Sequence, residues 1–294
     1  MTDKPKPEKK KKVRFSTIVF LLLLAVGLGV LLYPTVSDTY SRWKAVQSIS
    51  QYNIVAAGTD KDYSELWEAA EEYNRRLAES GNFTVFADDE LENEISQYLN
   101  PLGTGMMGYI DIPAINVYIP IYQGTDESAL QAGAGYWIGT SLPTGGESTH
   151  CVLTAHNGLV KAKMFTDLDK LELGDTFTLT VLDRVLTYEV DQILTVEPDD
   201  FSELTIVEGE DYVTLYTCTP YGVNTHRLLV RGHRIETPQE ELESKTEPQL
   251  RETEINLILQ IVLPLLLILL LAVLIVLREK KRYHGQHEKR RDRK

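Results

Sequence analysis

Cysteine is scarce in this chain, with two residues, Cys151 and Cys218, among 294. Two cysteines exclude a disulfide-stapled scaffold and leave room for at most one bridge. The histidines and cysteines lack a closed metal-ligand spacing and the acids lack an EF-hand pattern, so no metal is expected. Neither a Gly-rich phosphate loop nor an internal repeat is visible, and no cofactor is expected. Positive charge is short too, 30 Lys+Arg against 43 Asp+Glu for a net −13, and what there is lies at the ends. Residues 1–14 hold seven Lys/Arg against two acids, and residues 278–294 hold nine against three. Setting aside the +5 and +6 of these tails leaves −24 for residues 34–254. Such a domain does not attract nucleic acid or anionic lipid through its overall field, whereas a basic, lysine-presenting partner suits it.

Long apolar runs, by contrast, are plentiful. Phe15 to Tyr33 has only Ser16 and Thr17 as polar side chains, and Ile255 to Leu277 only Asn256 and Gln260. Each approaches the ~20 residues that cross a bilayer as a helix. The first follows a basic leader, KKKKVR, as a signal peptide would, but it exceeds the ~7 to 15 residues of an h-region and no A-x-A-like site follows. An uncleaved anchor is therefore expected. The second is apolar on every face, unlike a globular helix with its polar stripe. Basic tails stay in the cytoplasm, so a membrane protein with both termini cytoplasmic and an acidic middle outside is expected.

Between the spans, the spacing of Tyr40, Trp43, Val46 and Ser50 predicts an amphipathic helix from Ser37 to about Ala56. A second helix is predicted from about Asp62 to Ala78, with a stripe of Leu66, Ala69/Ala70, Tyr73 and Leu77 and a stop near Gly81. From Met106 the text becomes strand-like and turn-punctuated. The runs are Met107–Ile112, Val117–Tyr122, Thr149–Thr154, Thr176–Leu182, Val185–Val196, Tyr212–Cys218 and Arg227–Ile235, and they point to a mainly β barrel or sandwich.

The last two runs flank Pro220, Gly222 and Asn224, turn chemistry that suits an antiparallel hairpin. Folding about its midpoint brings Cys218 opposite Arg227, where a guanidinium favours a thiolate and can donate to an oxyanion. Upstream, in HCVLTAHNGL, His156 stands at a strand-to-loop step as a candidate base. No carboxylate or amide orienter for it is identifiable. Spacing alone also permits a Cys151 to Cys218 disulfide that simply staples a sheet.

TLYTC (Thr214–Cys218), LTAHNGL (Leu153–Leu159), the arginine nine residues after Cys218, GYIDIPAINVYIPIYQGT (Gly108–Thr125) and MFTDLDKLELGD (Met164–Asp175) together resemble the sortase family of cysteine transpeptidases, over roughly Met106 to Arg234. CTPYGVNTHRLLVRGHR is most similar to the class C, pilin-polymerising branch. The resemblance implies a closed eight-stranded barrel and carries over Cys218 as nucleophile, His156 as acid and base, and Arg227 as oxyanion-stabilising residue, with Asp88 and Thr217 as substrate-binding or lid residues. It also implies cleavage of an LPXTG-like sorting signal between Thr and Gly, with a lysine amine of the next pilin subunit as acceptor. Class C relatives usually carry a lid with an Asp-Pro-aromatic triplet near residues 83–105. Here Asp88-Asp89-Glu90 keeps the acid but neither proline nor ring, so two readings stay open: a lid whose Asp88 pairs with Arg227, and a solvated acidic loop leading into a helix-like ELENEISQYL. The organisation expected is a basic tail (1–14), a membrane helix (15–33), a helical prefix with lid-like loop (34–105), the barrel (106–236), a tether (237–254), a second membrane helix (255–277) and a basic tail (278–294). Two rival functions remain, a housekeeping sortase that anchors proteins to the cell wall and a catalytically silent membrane-tethered binding barrel.

Overall fold

The computed structural model describes residues 15–56, 62–81, 87–159 and 161–238, with scattered positions between 259 and 278. Two compact units are present, one of Met1–Val36 with Glu254–Lys294 and one of Ser37–Thr253.

In the first unit the described residues are mainly the start of helix α1 (Phe15–Ala56), where Val26, Val30 and Leu31 are exposed. Among the described residues one helical stretch, Leu22–Ala56, is long and apolar enough to cross a membrane by length and composition. Sequence predicts two helices separated at Pro34, whereas α1 is continuous with Pro34 inside it. Proline removes one backbone donor, and the helix continues past that loss. The second expected span, Ile255 to Leu277, lies almost wholly outside the described residues.

The second unit is a closed barrel of eight strands: β1 (Met106–Ile112), β2 (Val117–Gln123), β3 (Ala134–Tyr136), β4 (Thr149–Thr154), β5 (Thr176–Val181), β6 (Arg184–Val196), β7 (Asp211–Thr219) and β8 (His226–Ile235). Around the barrel they run β1-β2-β3-β4-β7-β8-β6-β5, and β5 pairs back onto β1. Seven are the runs predicted from sequence, within a residue or two at each end. The eighth, β3, escapes that reading because three residues, Ala134-Gly135-Tyr136, are too short to show an alternation. It nonetheless bridges β2 and β4.

Strand alternation sorts side chains into two layers. Val213 and Leu215 of β7 face the main core with Cys151 and Leu153 of β4. Their neighbours Tyr216 and Val152 face outwards, where Leu204 and Leu229 cover them as a separate cluster. The wall formed by β4, β7 and β8 is thus apolar on both faces.

Helices brace the barrel from outside. Residues Ile49, Tyr52 and Ala56 of α1 pack with Met106 and Tyr109, and the Tyr52 hydroxyl donates to the Met107 carbonyl (2.7 Å) and accepts from the Leu182 amide (2.7 Å). The buried stripe therefore shares only Val46 with the predicted one, and Tyr40 is exposed. Helix α2 (Ser64–Ser80) ends at Gly81, whose left-handed φ of 63° suits glycine, close to the predicted stop. Its buried face is Trp67, Ala70, Tyr73 and Asn74. Apolar patterning could not select Asn74, which fills all its hydrogen-bonding capacity toward one loop: its amide donates to the Leu142 carbonyl (3.1 Å) and Thr144 Oγ1 (2.8 Å), and its oxygen accepts from the Leu142 amide (2.7 Å). Asn74→Ala strands those groups in a buried site, and a loss of about 2 kcal/mol is expected by denaturant titration.

Candidate active site

The β7–β8 register pairs Cys218 with Arg227, as the hairpin reading predicts. The connecting turn is closed by the Val223 and Asn224 amides, both donating to the Pro220 carbonyl (3.0 Å each). Arg227 is in turn tied down by its own turn, with one guanidinium nitrogen donating to the Asn224 carbonyl (3.1 Å) and the His226 carbonyl (3.0 Å). Arg227 also makes a side-chain hydrogen bond with the Tyr216 phenol.

His156 comes to the same place by a different route. Strand β4 runs parallel to β7 with Val152 opposite Thr214 and Thr154 opposite Tyr216. Strand β4 ends at Thr154, two residues before His156. Pairing does continue past the end of β4: the Ala155 amide donates to the Tyr216 carbonyl (3.2 Å), and Thr217 Oγ1 donates to the Ala155 carbonyl (2.7 Å). One residue beyond His156, the Asn157 side-chain amide donates to the Cys218 carbonyl (2.7 Å). The step holding the imidazole is thus stitched to β7 on both sides. Period-two alternation places residues 152 and 154 of β4 on the outer face with 214, 216 and 218 of β7.

The loop after His156 is held as well. Phe165 N–H donates to the His156 carbonyl (3.1 Å), and Gly158 N–H donates to Thr166 Oγ1 (3.0 Å). Asp38 accepts from the Lys163 amide (2.8 Å) and Ser41 donates to the Lys161 carbonyl (2.9 Å), so α1 grips the far side of this loop. Gly158 has φ +80°, and the Tyr221 ring from the β7–β8 turn lies so close that a Cβ there would sit 3.0 Å from it.

An aromatic wall rises beside the thiol. Trp137 meets Tyr216 edge-to-face at 5.1 Å and Phe201 at 5.7 Å. Burial pushes the Tyr216 phenol up, Arg227 pulls it down, and the charge on Cys218 adds to the rise, which marks the three groups as one electrostatic neighbourhood.

Both cysteines are free. Alternation explains why no staple forms: Cys151 faces the barrel interior, where burial pushes its thiol well up, while Cys218 faces outwards and is half-buried. Thr217 is 1% exposed and its hydroxyl is committed to Ala155, so it fixes strand geometry from within the wall. Asp88 stands apart from the other predicted residues. Its carboxylate accepts from the Leu91 amide (2.9 Å) as the N-cap of helix α3 (Asp89–Ile95), and α3 is docked by buried Ile95 and by Gln123, which donates to the Ile95 and Tyr98 carbonyls. Of the two readings left open for this stretch, the acidic loop entering a helix is the one the described residues display. Residues 83–86 of the expected lid lie outside them. No cluster that could hold a metal occurs among the described residues.

Asn157, Tyr216 and Trp137 were not singled out from sequence. Asn157 alone had a readable signal, its place next to His156.

Under this wall, His150 is buried with both ring nitrogens paired, to the Thr205 carbonyl (2.9 Å) and Thr214 Oγ1 (2.7 Å). Because the carbonyl only accepts, Nδ1 carries the proton and Nε2 accepts from the hydroxyl. Burial lowers its pKa from 6.5 to about 4. A folded value below the unfolded one means that stability is full above pH 6.5 and is lost as pH falls toward 4. Denaturant titrations are expected to show a loss of roughly 3 kcal/mol over that window from this group, a slope absent in His150→Asn.

A sortase-domain family model matches residues 110–235. The chain is 30% identical to sortase D of Bacillus subtilis over 155 residues, 52% of this chain and 74% of that protein. It is 26% identical to sortase A of Bacillus anthracis, over 77% of this chain and 97% of that one. Among solved structures, it is similar to sortase C1 from Streptococcus agalactiae, with a TM-score of 0.63 and 47% identity over 65% of this chain and all of the other. Clostridium perfringens sortase C, solved with the C-terminal cell wall sorting motif, is similar at a TM-score of 0.58 and 44% identity, over 66% of this chain and all of that one.

Proposed function

Because this chain belongs to the sortase family of cysteine transpeptidases, we propose that it is a pilin-polymerising enzyme that uses Cys218, His156 and Arg227 to cleave an LPXTG-like signal between Thr and Gly. The observation that supports this reading is the strand register: β7 beside β8 pairs Cys218 with Arg227, and β4, which leads into His156, runs beside β7, with Asn157 donating to the Cys218 carbonyl. Supporting it are the similar sortase C structures, one of them solved with a sorting motif.

Cys218 attacks the threonine carbonyl as thiolate, and the Arg227 guanidinium stabilises the tetrahedral oxyanion. His156 protonates the departing glycine amine, leaving a threonyl thioester. A lysine amine of the next subunit then attacks, His156 takes its proton, and an isopeptide bond forms as the thiolate leaves. Thr217 serves from inside the wall, holding the step that carries His156. Asp88 serves as a helix cap.

In this reading residues 106–236 are the catalytic domain, 34–105 its helical prefix, and 237–254 a tether. The stretches 15–33 and 255–277 cross the membrane, with both tails cytoplasmic and the acidic domain facing outwards. The test is a mixture of a sorting-signal peptide with a lysine-bearing pilin peptide and, separately, a peptidoglycan-type amine. An isopeptide product formed preferentially with the lysine is expected. Preference for the peptidoglycan amine would make the chain a cell-wall anchoring sortase, and no product with either would leave a binding barrel.

A further inference from the structure

Three buried side-chain nitrogen or oxygen atoms lack a protein partner among the described residues, and two of them, His156 Nε2 and Asn157 Oδ1, sit on consecutive residues. Buried polar atoms are nearly always paired, so two orphans in succession, next to the thiol, ask for an explanation. The orientation of the Asn157 amide is not arbitrary. Its partner at 2.7 Å is the Cys218 carbonyl, which can only accept, so Nδ2 must point there and Oδ1 must point elsewhere. An amide's nitrogen and oxygen lie about 2.3 Å apart, which keeps Oδ1 within about 5 Å of the Cys218 carbonyl oxygen. An amide oxygen accepts a hydrogen bond, as does an unprotonated imidazole nitrogen, so each can take one N–H of an incoming group.

We infer that Asn157 Oδ1 and His156 Nε2 jointly receive the attacking primary amine, so that Asn157 sets the choice between an amine and water as acceptor. This rests on the transpeptidase reading above and deepens it. The amine nitrogen attacks the carbonyl carbon of the threonyl thioester on Cys218, the C–N bond forms, and the C–S bond breaks to release the thiolate. One amine proton passes to His156 and the other stays on the product nitrogen, held until then by Asn157 Oδ1. The leaving glycine amine passes through the same position in the first half-reaction.

The test is the ratio of aminolysis to hydrolysis from a common thioester, a ratio that does not depend on how much enzyme is active or how fast the thioester forms. In Asn157→Ala the ratio is expected to fall about tenfold, the usual effect of one lost hydrogen bond. Wild-type protein provides the second arm, comparing a lysine peptide with its Nε-methyl derivative, which has one N–H fewer. The wild type is expected to prefer the primary amine by about tenfold, and Asn157→Ala to lose that preference. An unchanged ratio in the variant, or a wild type indifferent to methylation, overturns the inference while leaving the transpeptidase intact. A wild type that forms no thioester overturns both.

Discussion

Cys218→Ala is expected to lose acyl transfer by roughly 10⁵-fold or more, the scale on which removing a covalent nucleophile acts. No neighbouring group can substitute, since Cys151 faces the barrel interior with its thiol pushed well up and Thr217 is buried with its hydroxyl committed. The fold should not notice. Cys218 is half-buried and outward-facing, so the change in stability is expected to stay within about 0.5 kcal/mol. Single-turnover cleavage of a sorting-signal peptide and a denaturant titration, done on the same preparation, separate the two effects. A variant that keeps even one per cent of the wild-type rate would show that the sulfur is not the nucleophile.

Arg227→Ala is expected to slow thioester formation by about 10²- to 10³-fold, the range for removal of an oxyanion donor. Lysine should recover little of this. One guanidinium nitrogen is occupied by the Asn224 and His226 carbonyls, and only a planar fork can hold those while presenting further N–H groups to the substrate. The KM for peptide tells apart two ways in which the rate could fall. An oxyanion role lowers kcat with KM nearly unchanged, whereas a purely substrate-binding role raises KM. A full rate in the alanine variant removes Arg227 from the mechanism.

Much of the barrel could be read from the text because its strands alternate. Seven runs with apolar and β-branched residues at every second position emerged as β1, β2 and β4 to β8, while β3 is too short for any period to register. Helix α1 was misread at Pro34, where the loss of one backbone donor does not end the helix. The Cys218–Arg227 pairing was visible because a hairpin makes partners by counting from its turn. That the segment leading into His156 lies along β7 depends on a parallel pairing between β4 and β7, strands separated by more than fifty residues, and no local pattern encodes that contact. The same long-range pairing supplies Asn157 with the Cys218 carbonyl. Asp88 illustrates the opposite case, in which a resemblance suggested a partner across the site while a nearer donor, the Leu91 amide, took the carboxylate as a helix cap.

The most direct measurement is the intact mass of the protein after incubation with a sorting-signal peptide and no amine, quenched in acid and mapped by proteolysis. One adduct is expected, a thioester carrying the peptide through its threonine, on the fragment that contains Cys218 and absent from the fragment that contains Cys151. Finding no acyl adduct, or finding it attached anywhere but Cys218, would contradict the convergence of thiol, imidazole and guanidinium as a catalytic centre.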